Sequence, residues 1–302
     1  MQLKTRRTEG NTPRPDYWGI DSEYGRLTDL LVGPIDNYSW QPGNAVAQRS
    51  ERLGLRFDKQ VVLAQYAEMI SAYESAGVRV HQLPAEEGLP YQVYARDSSV
   101  MTPWGAIIMQ LQKDYRRGEY AGVLRFYLEH DIPIYDMVTA GNVEGGDFMV
   151  LKPGVAICGY SGERSIEPAV MQIKAWFERE GWELYTYPFD PHFLHLDVQM
   201  GMIAEDLAVV CVEAVETELL NWLRAKGIRI LPISYGDTMN MGTNIVALGG
   251  ERVLIPAAGK HLIETCRAEG LTVYDPDVSM IAQGGGSVHC MCQALRRESA
   301  RA

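Results

Sequence analysis

A unit of one helix, one short strand and one hairpin recurs five times along this 302-residue chain, with very little sequence identity between the copies. Apolar residues spaced three and four apart predict an amphipathic helix in each copy. These helices lie near residues 58–76, 118–130, 166–180, 214–226 and 257–269. A short strand follows each helix and is mostly opened by a glycine of the kind that ends helices. The repeat therefore predicts five similar structural units.

An apolar run, a turn signal and a second apolar run predict a hairpin in each unit. Four of the hairpins read SSVMTPWGAIIMQ, DFMVLKPGVAICG, DVQMGMIAEDLAVVC and NIVALGGERVLIP. The fifth pairs GSVHCMCQAL near the C-terminus with RLTDLLVG near the N-terminus, which closes the units into a ring. We therefore predict an α/β protein with the architecture of a five-bladed, pseudosymmetric α/β propeller. An ordinary α/β fold with evenly spaced strands is the alternative.

One position in each hairpin carries a residue of possible functional interest. Successive members of this set are 50, 50, 47 and 46 residues apart, and they are Asp97, Asp147, Asp197, Asn244 and Cys290. Polar side chains at the ends of buried strands lose their hydration unless they meet one another or a ligand. We therefore expect the five to converge on the propeller axis and place the functional site there.

Charge and cysteine content exclude several classes of function. The formal net charge of −11 repels nucleic acids and anionic lipid surfaces, but it suits a cationic small molecule. No segment approaches the roughly 20 apolar residues of a membrane helix, and the N-terminus lacks the apolar segment of a signal peptide. The five cysteines are an odd number without disulfide or zinc spacing. They indicate free thiols and a cytoplasmic protein.

The chain shows no linker or low-complexity segment that would divide it into domains. We predict a disordered tail over residues 1–17 and a single catalytic domain over residues 18–302. Within that domain, residues 34–52 are expected to form a long polar loop. A homo-oligomer is compatible with this sequence.

Cys290, in the segment GGGSVHCMC, is the candidate nucleophile. The three glycines allow the backbone to approach closely and leave room beside the thiol, which a structural cysteine does not need. A cysteine considered alone is nevertheless more often a core residue. We expect that core role for Cys292, Cys158, Cys211 and Cys266. A nucleophilic Cys290 therefore requires a base from elsewhere in the chain.

His195, in FLHLDV, is the candidate acid/base. On an extended segment its side chain shares a face with that of Asp197, two residues further on. The pair could instead bind a metal, but no third His or Cys stands at a compatible spacing, so we expect neither a metal nor a cofactor. His289 adjoins the thiol, but an extended segment would point it to the opposite face.

Two further motifs contribute charged candidates. Glu144 and Asp147 lie in GNVEGGDF, where the paired glycines permit a tight approach of backbone. Asp147 could alternatively serve as a turn or cap residue. Arg96 and Asp97, in YARDSS, form a structural ion pair, a clamp on substrate, or one of each.

The segments ARDSS, NVEGGDF, FLHLDV, TNIVAL and GGGSVHCM, in this order from about residue 20 onward, resemble the guanidino-group-modifying (pentein) superfamily. It includes arginine deiminases, dimethylarginine dimethylaminohydrolases, agmatine deiminases and amidinotransferases. The resemblance implies a five-bladed α/β propeller, in agreement with the repeat. It also implies roles for individual residues: Cys290 as nucleophile, His195 as acid/base, and Asp97 and Asp197 as substrate ligands. Glu144 is the further catalytic residue, whose carboxylate either binds another N–H of the guanidinium or orients His195.

The reaction implied by the resemblance cleaves a carbon–nitrogen bond of a guanidino group. Carboxylates match the N–H donors of the planar guanidinium, Cys290 attacks its central carbon, and His195 protonates the departing amine. Water then releases a ureido product in a hydrolase, whereas an acceptor amine takes its place in an amidinotransferase. EGGD resembles the hydrolases more than the acid-Ala-Ala-Asp motif of glycine amidinotransferases, which favours hydrolysis.

The segment GYSGERS resembles a G-x-S-x-R-[ST] stretch whose arginine meets the substrate carboxylate in arginine hydrolases, but it has one extra residue before Arg164. Arg164 is thus a candidate carboxylate ligand, and Arg96 and Asp147 complete the predicted substrate-binding set. The expected partner is a small guanidino molecule. A non-catalytic pentein, such as the ribosome anti-association factors, is the rival. The presence of Cys290 and His195 argues against it.

Overall fold

The structure is a computed structural model, and it describes residues 18–300. The predicted disordered tail over residues 1–17 lies outside the described residues. The strands are β1 (Leu27–Val32), β2 (Arg79–Gln82), β3 (Ser99–Thr102), β4 (Gly105–Ile108), β5 (Ile134–Met137), β6 (Phe148–Lys152), β7 (Val155–Tyr160), β8 (Glu183–Pro188), β9 (Met200–Ala204), β10 (Leu207–Cys211), β11 (Arg229–Ile233), β12 (Val246–Ala247), β13 (Arg252–Leu254), β14 (Thr272–Tyr274) and β15 (Cys292–Arg297). The α-helices are α1 (Ala45–Arg52), α2 (Lys59–Ser75), α3 (Glu119–Glu129), α4 (Glu167–Arg179), α5 (Thr217–Ala225), α6 (Tyr235–Thr238), α7 (Lys260–Ala268) and α8 (Ser279–Ala282).

The strands form five three-stranded sheets, and each sheet repeats one connection. In the blade that contains α3, for example, β3 and β4 form an antiparallel hairpin and β5 pairs parallel with β4. A helix links the two parallel strands because they cannot be joined by a tight turn. The same antiparallel-then-parallel order occurs in β6–β8, β9–β11 and β12–β14.

The remaining sheet joins the two ends of the chain. β15 pairs antiparallel with β1, so that Cys292 lies opposite Val32 and Arg297 lies opposite Leu27. β2 then pairs parallel with β1. The predicted closing hairpin is therefore confirmed, and the fold is a five-bladed, pseudosymmetric α/β propeller.

The five predicted helices correspond to α2, α3, α4, α5 and α7. The first three agree with the prediction to within one residue at each end, whereas α5 and α7 each begin three residues later than predicted. Before α7 the chain is still in a turn, in which the N–H of Gly259 donates to the carbonyl of Pro256 at 2.8 Å. The helices were extended too far because apolar spacing does not reveal such turns.

The predicted polar loop over residues 34–52 is partly wrong, since it contains α1. Asn44 begins this helix, and its side-chain oxygen accepts the N–H of Ala47 at 2.9 Å. Asparagine favours this N-cap position because it satisfies a backbone donor that the helix itself cannot. Throughout residues 18–300, no helix is both long enough and apolar enough to cross a membrane.

Candidate active site

Hydrogen bonds link neighbouring blades at the position that the sequence repeat singled out. In three blades, the side chain at that position accepts the backbone N–H of the residue just before the same position in the next blade. The three pairs are Gly146 to Asp97 at 3.1 Å, Leu196 to Asp147 at 2.9 Å and His289 to Asn244 at 3.0 Å. The five positions are therefore structurally equivalent, as expected from their spacing.

Asp197 departs from this pattern. One of its oxygens, Oδ2, lies 2.8 Å from Nδ1 of His289 and accepts the thiol of Cys290 at 3.4 Å. Its other oxygen, Oδ1, is buried and has no hydrogen-bond partner among residues 18–300. The blade that carries His195 thus turns its acidic side chain toward the thiol rather than toward the next blade.

The thiol of Cys290 is buried, with the residue only 3% exposed. The side-chain amide of Asn244 donates to Sγ at 3.2 Å. Burial raises the pKa of the Cys290 thiol well above its ordinary value, and the negative charges of Asp197 and Asp97 raise it further. In the resting protein Cys290 is therefore a neutral thiol at neutral pH.

The glycines before Cys290 are required by close packing. A Cβ atom at Gly284 would lie 1.9 Å from the hydroxyl of Tyr38, and one at Gly286 would lie 2.5 Å from the ring of Tyr94. Any larger residue would push these buried rings apart. The segment that precedes Cys290 therefore packs directly against the rings of Tyr38 and Tyr94.

His195 is held by Glu144, whose Oε2 lies 2.8 Å from Nε2 of the imidazole. The other ring nitrogen, Nδ1, is buried and has no hydrogen-bond partner in the described part of the chain; Oδ1 of Asp97 is 3.8 Å away. Burial alone would lower the pKa of His195, but Asp97, Asp147 and Glu144 outweigh it and raise the pKa to about 10. The side chain of His195 is therefore a positively charged imidazolium, and its Nδ1–H has no hydrogen-bond acceptor within the described residues.

Two glycines of the EGGD motif explain how this histidine fits. A Cβ at Gly146 would lie 2.6 Å from Nδ1 of His195, and one at Gly145 would lie 2.0 Å from the carbonyl oxygen of Arg96. Glycine is thus needed at position 146 for the close approach of His195 and at position 145 for the close approach of the Arg96 backbone.

Glu144 is fully buried and is paired with three cationic groups, those of Arg164, His195 and Arg116. Arg164 Nη1 contacts Oε2, the oxygen that also contacts His195, at 3.0 Å, and Arg116 Nη1 lies 3.7 Å from the same oxygen. Burial raises the pKa of Glu144, but Arg164 and His195 together lower it below its ordinary value. Glu144 is therefore ionised, and the three positive groups around it compensate for its burial.

Arg116 is a residue of the site that the sequence motifs did not reveal. Its Nη1 donates to Oδ2 of Asp97 at 2.8 Å, and its Nε and Nη2 each donate to Glu119 at 2.8 Å. The bidentate contact with Glu119 fixes the plane of the guanidinium. Arg116 lies in KDYRRGE, where the only sequence signal is an acidic residue three positions later at the start of α3.

A pocket joins the thiol, the imidazole and the two arginines. Its lining consists of Asn44, Tyr91, Tyr94, Asp97, Arg116, Arg164, Leu194, His195, Gly284, Gly285, Gly286 and Cys290. The free volume is about 10 Å³, which is roughly the room that one water needs. The pocket is therefore too narrow to hold a substrate in this conformation, and Asn44 of the residue 34–52 segment contributes to its lining.

Three residues predicted to bind substrate do not line this pocket: Asp197, which contacts the thiol of Cys290, and Arg96 and Asp147. The Nη2 of Arg96 donates to Glu23 at 3.1 Å and to the carbonyl of Phe148 at 2.5 Å. The oxygens of Asp147 accept the N–H of Leu196 and the hydroxyl of Ser165. Arg96 and Asp147 instead hold neighbouring segments of the chain together. In the motif YARDSS, for example, Asp97 lines the pocket while Arg96 points elsewhere.

The predicted orientation of His289 is wrong. Its ring lies beside Asp197, as described above, and is buried together with the thiol. The segment is not extended here, since the N–H of Met291 donates to the carbonyl of Ser287 at 3.1 Å and β15 begins only at Cys292. A turn does not alternate its side chains as a strand does, so His289 and Cys290 share one side.

Asp97, Glu144 and His195 each present a ligand atom within 4.8 Å of the others, which is the spacing that a shared cation needs. Arg116 and Arg164 already neutralise the two carboxylates. The donor set is therefore better matched to guanidinium groups than to a metal ion, and we assign no metal to it.

Comparison with known proteins places this geometry in a family. The family model described as N,N dimethylarginine dimethylhydrolase, eukaryotic, matches residues 41–297. The uncharacterized protein YkgA of Bacillus subtilis is 27% identical over 236 residues, which cover 77% of this chain and 79% of that protein. The N(G),N(G)-dimethylarginine dimethylaminohydrolase of Mycobacterium tuberculosis is 26% identical over 234 residues, covering 77% of this chain and 75% of that protein.

A solved structure shows the same fold at lower sequence identity. SxtG, an amidinotransferase from Microseira wollei, aligns with a TM-score of 0.80 and 16% identity over 95% of this chain and 98% of its own. The family match spans all four residues Asp97, Glu144, His195 and Cys290. The chain therefore belongs to the family described as eukaryotic N,N dimethylarginine dimethylhydrolase, within the guanidino-group-modifying (pentein) superfamily.

Proposed function

We propose that this protein hydrolyses a carbon–nitrogen bond of a small guanidino compound, with Cys290 as nucleophile and His195 as acid/base. The observation that carries the proposal is one buried pocket lined by a thiol, a charged imidazole and the carboxylate of Asp97. Membership of a family of guanidino hydrolases supports it.

The carboxylates supply the binding site for a cation. Asp97 and Glu144 present acceptors near the imidazole, and Asp197 lies beside the thiol. A planar guanidinium can donate to several carboxylate oxygens at once, which fixes its orientation as well as its position. We propose that Asp97 and Asp197 bind the substrate guanidinium so that its central carbon faces Sγ of Cys290.

The reaction follows from the charges already described. The thiol of Cys290 releases its proton to solvent as the guanidinium binds, and its sulfur then forms a bond to the central carbon. The C–N bond to the leaving amine breaks as His195 donates its proton to that nitrogen. A thiouronium remains on Cys290. Water then attacks the same carbon, His195 takes a proton from it, and the C–S bond breaks to release a ureido product and the thiol.

The substrate itself is proposed to activate the nucleophile. Cys290 lies among carboxylates that disfavour a thiolate, and a bound guanidinium brings a full positive charge against both the carboxylates and the sulfur. We therefore expect the pKa of Cys290 to fall when an unreactive guanidinium ligand binds. Thiolate absorbance at about 240 nm, measured across pH with and without the ligand, checks this prediction.

The Cys290→Ser variant isolates the signal of this one thiol from those of the other four cysteines. A Cys290 that is already ionised below neutral pH in the empty protein, with no further fall on ligand binding, would mean a preformed thiolate–imidazolium pair instead of activation by substrate.

Two arginines in the pocket suggest that the substrate also carries an anionic group. Arg116 and Arg164 both line the pocket and are almost fully buried. We propose that Arg164, with Arg116 beside it, binds a substrate carboxylate once the pocket has widened enough to admit the substrate. Arg164 must then exchange part of its contact with Glu144 for the substrate.

Removing the charge of one aspartate that contacts the substrate guanidinium should weaken substrate binding. Asp97→Asn and Asp197→Asn each remove charge from a proposed guanidinium contact, so we expect KM to rise by about 10- to 150-fold, equivalent to about 1.5–3 kcal/mol. Steady-state kinetics on each variant check the prediction. Asp206→Asn, which alters only an exposed ion pair with Arg229, is the matched control. Wild-type KM and kcat in either site variant would show that its carboxylate does not bind substrate.

Amidino transfer is the second candidate function, because SxtG, with the same fold, is an amidinotransferase. The two reactions differ only in whether water or an amine attacks the thiouronium. Incubation with a panel of guanidino compounds, with and without glycine as acceptor, distinguishes them by mass spectrometry. Hydrolysis predicts a ureido product and released ammonia or amine in both cases, whereas transfer predicts a new guanidino compound that requires the acceptor.

We propose a cytoplasmic location, because all five cysteines are buried free thiols. The partner that we propose is the small guanidino substrate, and homo-oligomerisation stays a prediction from the sequence.

A further inference from the structure

Leu194, the residue directly before His195, has a backbone conformation that L-amino acids rarely adopt. Its φ is 64° and its ψ is −63°, which corresponds to the rare γ-turn of positive φ. The N–H of His195 donates to the carbonyl of Phe193 at 2.7 Å and closes this turn. Such conformations are costly and persist only where the surrounding structure holds them, so they are concentrated at functional sites.

The chain is fixed on both sides of the turn. Upstream, the side chain of Asp190 accepts the N–H of His192 at 2.8 Å and begins the short 3₁₀ helix Pro191–Phe193. Downstream, the N–H of Leu196 donates to Asp147 at 2.9 Å and a second 3₁₀ helix, Leu196–Val198, follows. The γ-turn is the bend that joins these two anchored segments.

His195 itself is in an ordinary extended conformation, with φ −139° and ψ 163°. The direction in which its side chain leaves the backbone is therefore set by the bend at Leu194. That direction brings Nε2 to Glu144 and leaves Nδ1 buried without a partner, as described above. The side chain of Leu194 also lines the pocket.

We infer that Leu194 is a positioning residue for His195, and this inference rests on the proposed function. Its strained turn fixes the imidazole between Glu144 and the pocket. A glycine would adopt the same φ without strain, but it would also allow many other conformations. The leucine restricts the bend because a residue with a Cβ has fewer accessible backbone conformations than glycine, and its half-buried side chain lines the pocket.

Leu194→Gly tests the inference, because it removes the restriction and keeps the native conformation accessible. We expect kcat to fall by about 10- to 100-fold, since misplacing a catalytic group by about 1 Å can have an effect of this size. KM should change by less than about threefold. Leu194→Met, which retains a Cβ and a similar volume, should restore kcat to within about threefold of wild type.

Glu251→Gly is the matched control for relief of backbone strain. Glu251 also has a positive φ, 60°, but it is exposed in the turn between β12 and β13. This variant should leave kcat unchanged and should not lower the melting temperature.

An NMR titration of His195 provides a readout that does not depend on activity. The pKa of about 10 requires the imidazole to stay beside its carboxylates, so in Leu194→Gly it should shift toward the ordinary value of 6.5, whereas in Glu251→Gly it should not. A shift in a protein without guanidino hydrolase activity would contradict the proposed function and support the positioning role. Wild-type kcat together with an unshifted His195 titration in Leu194→Gly would overturn the positioning role.

Discussion

Cys290→Ala abolishes turnover, with an expected loss in kcat on the order of 10³-fold or more, because it removes the atom that forms the covalent intermediate. Cys292→Ser should keep kcat within about threefold of wild type. Cys292 does not line the pocket, and its Sγ donates to the carbonyl of His289 at 3.6 Å. The two cysteines are two positions apart in the sequence and equally buried. We expect different effects on kcat because Cys290 lines the pocket and Cys292 does not.

Steady-state kinetics and thermal melts of both variants check this prediction. The melts matter because both sites are buried, and a small loss of stability in Cys292→Ser is compatible with full activity. A Cys290→Ala variant that melts like wild type and turns over at the wild-type rate would refute covalent catalysis by this residue.

His195→Ala should lower kcat by about 10²- to 10⁴-fold while changing KM much less, because its role is to move protons in the chemical step. His192→Ala is the control, since His192 is exposed and contacts the hydroxyl of Tyr235. Glu144 keeps its ion pair with Arg164 when the imidazole is removed, so we expect the variant to fold. An equal loss in both histidine variants would point to a general effect on this loop instead of proton transfer.

The same substitution also tests the raised pKa of His195. A histidine whose pKa is raised from 6.5 to about 10 on folding stabilises the protein fully below pH 6.5 and loses this contribution as the pH rises through about 10. The stability difference between wild type and His195→Ala should therefore be largest below pH 6.5 and should diminish up to about pH 10. A difference that does not change with pH would show that His195 is not held as an imidazolium.

The fold could be predicted from the sequence because each blade carries its own local signals. The amphipathic stretch that became α3 and the hairpin of β3 and β4 are both visible as apolar periodicity. The closing pair β1 and β15 was predictable because the other four hairpins left one strand at each end of the chain. The boundaries of α1 were not predictable in this way, since they depend on the cap at Asn44 and not on periodicity.

The site was predictable only where a residue belongs to a motif and also faces the axis. Cys290 and His195 meet both conditions. Arg96 belongs to a motif but faces another blade, and a motif does not state to which side a side chain points. Arg116 faces the pocket but belongs to no motif, because the fold alone brings it to Asp97. Leu194 is unremarkable as a sequence letter, and only its φ of 64° distinguishes it.

The central claim is that turnover passes through a covalent bond between Cys290 and the guanidino carbon. The most direct test is the intact mass of the protein, acid-quenched during turnover of a guanidino substrate and followed by peptide mapping. We predict one added group, with the mass of the thiouronium, on the peptide that contains Cys290, and none in Cys290→Ser. Steady turnover of the substrate with no adduct at any time point, or an adduct on Cys292 instead, would contradict the account.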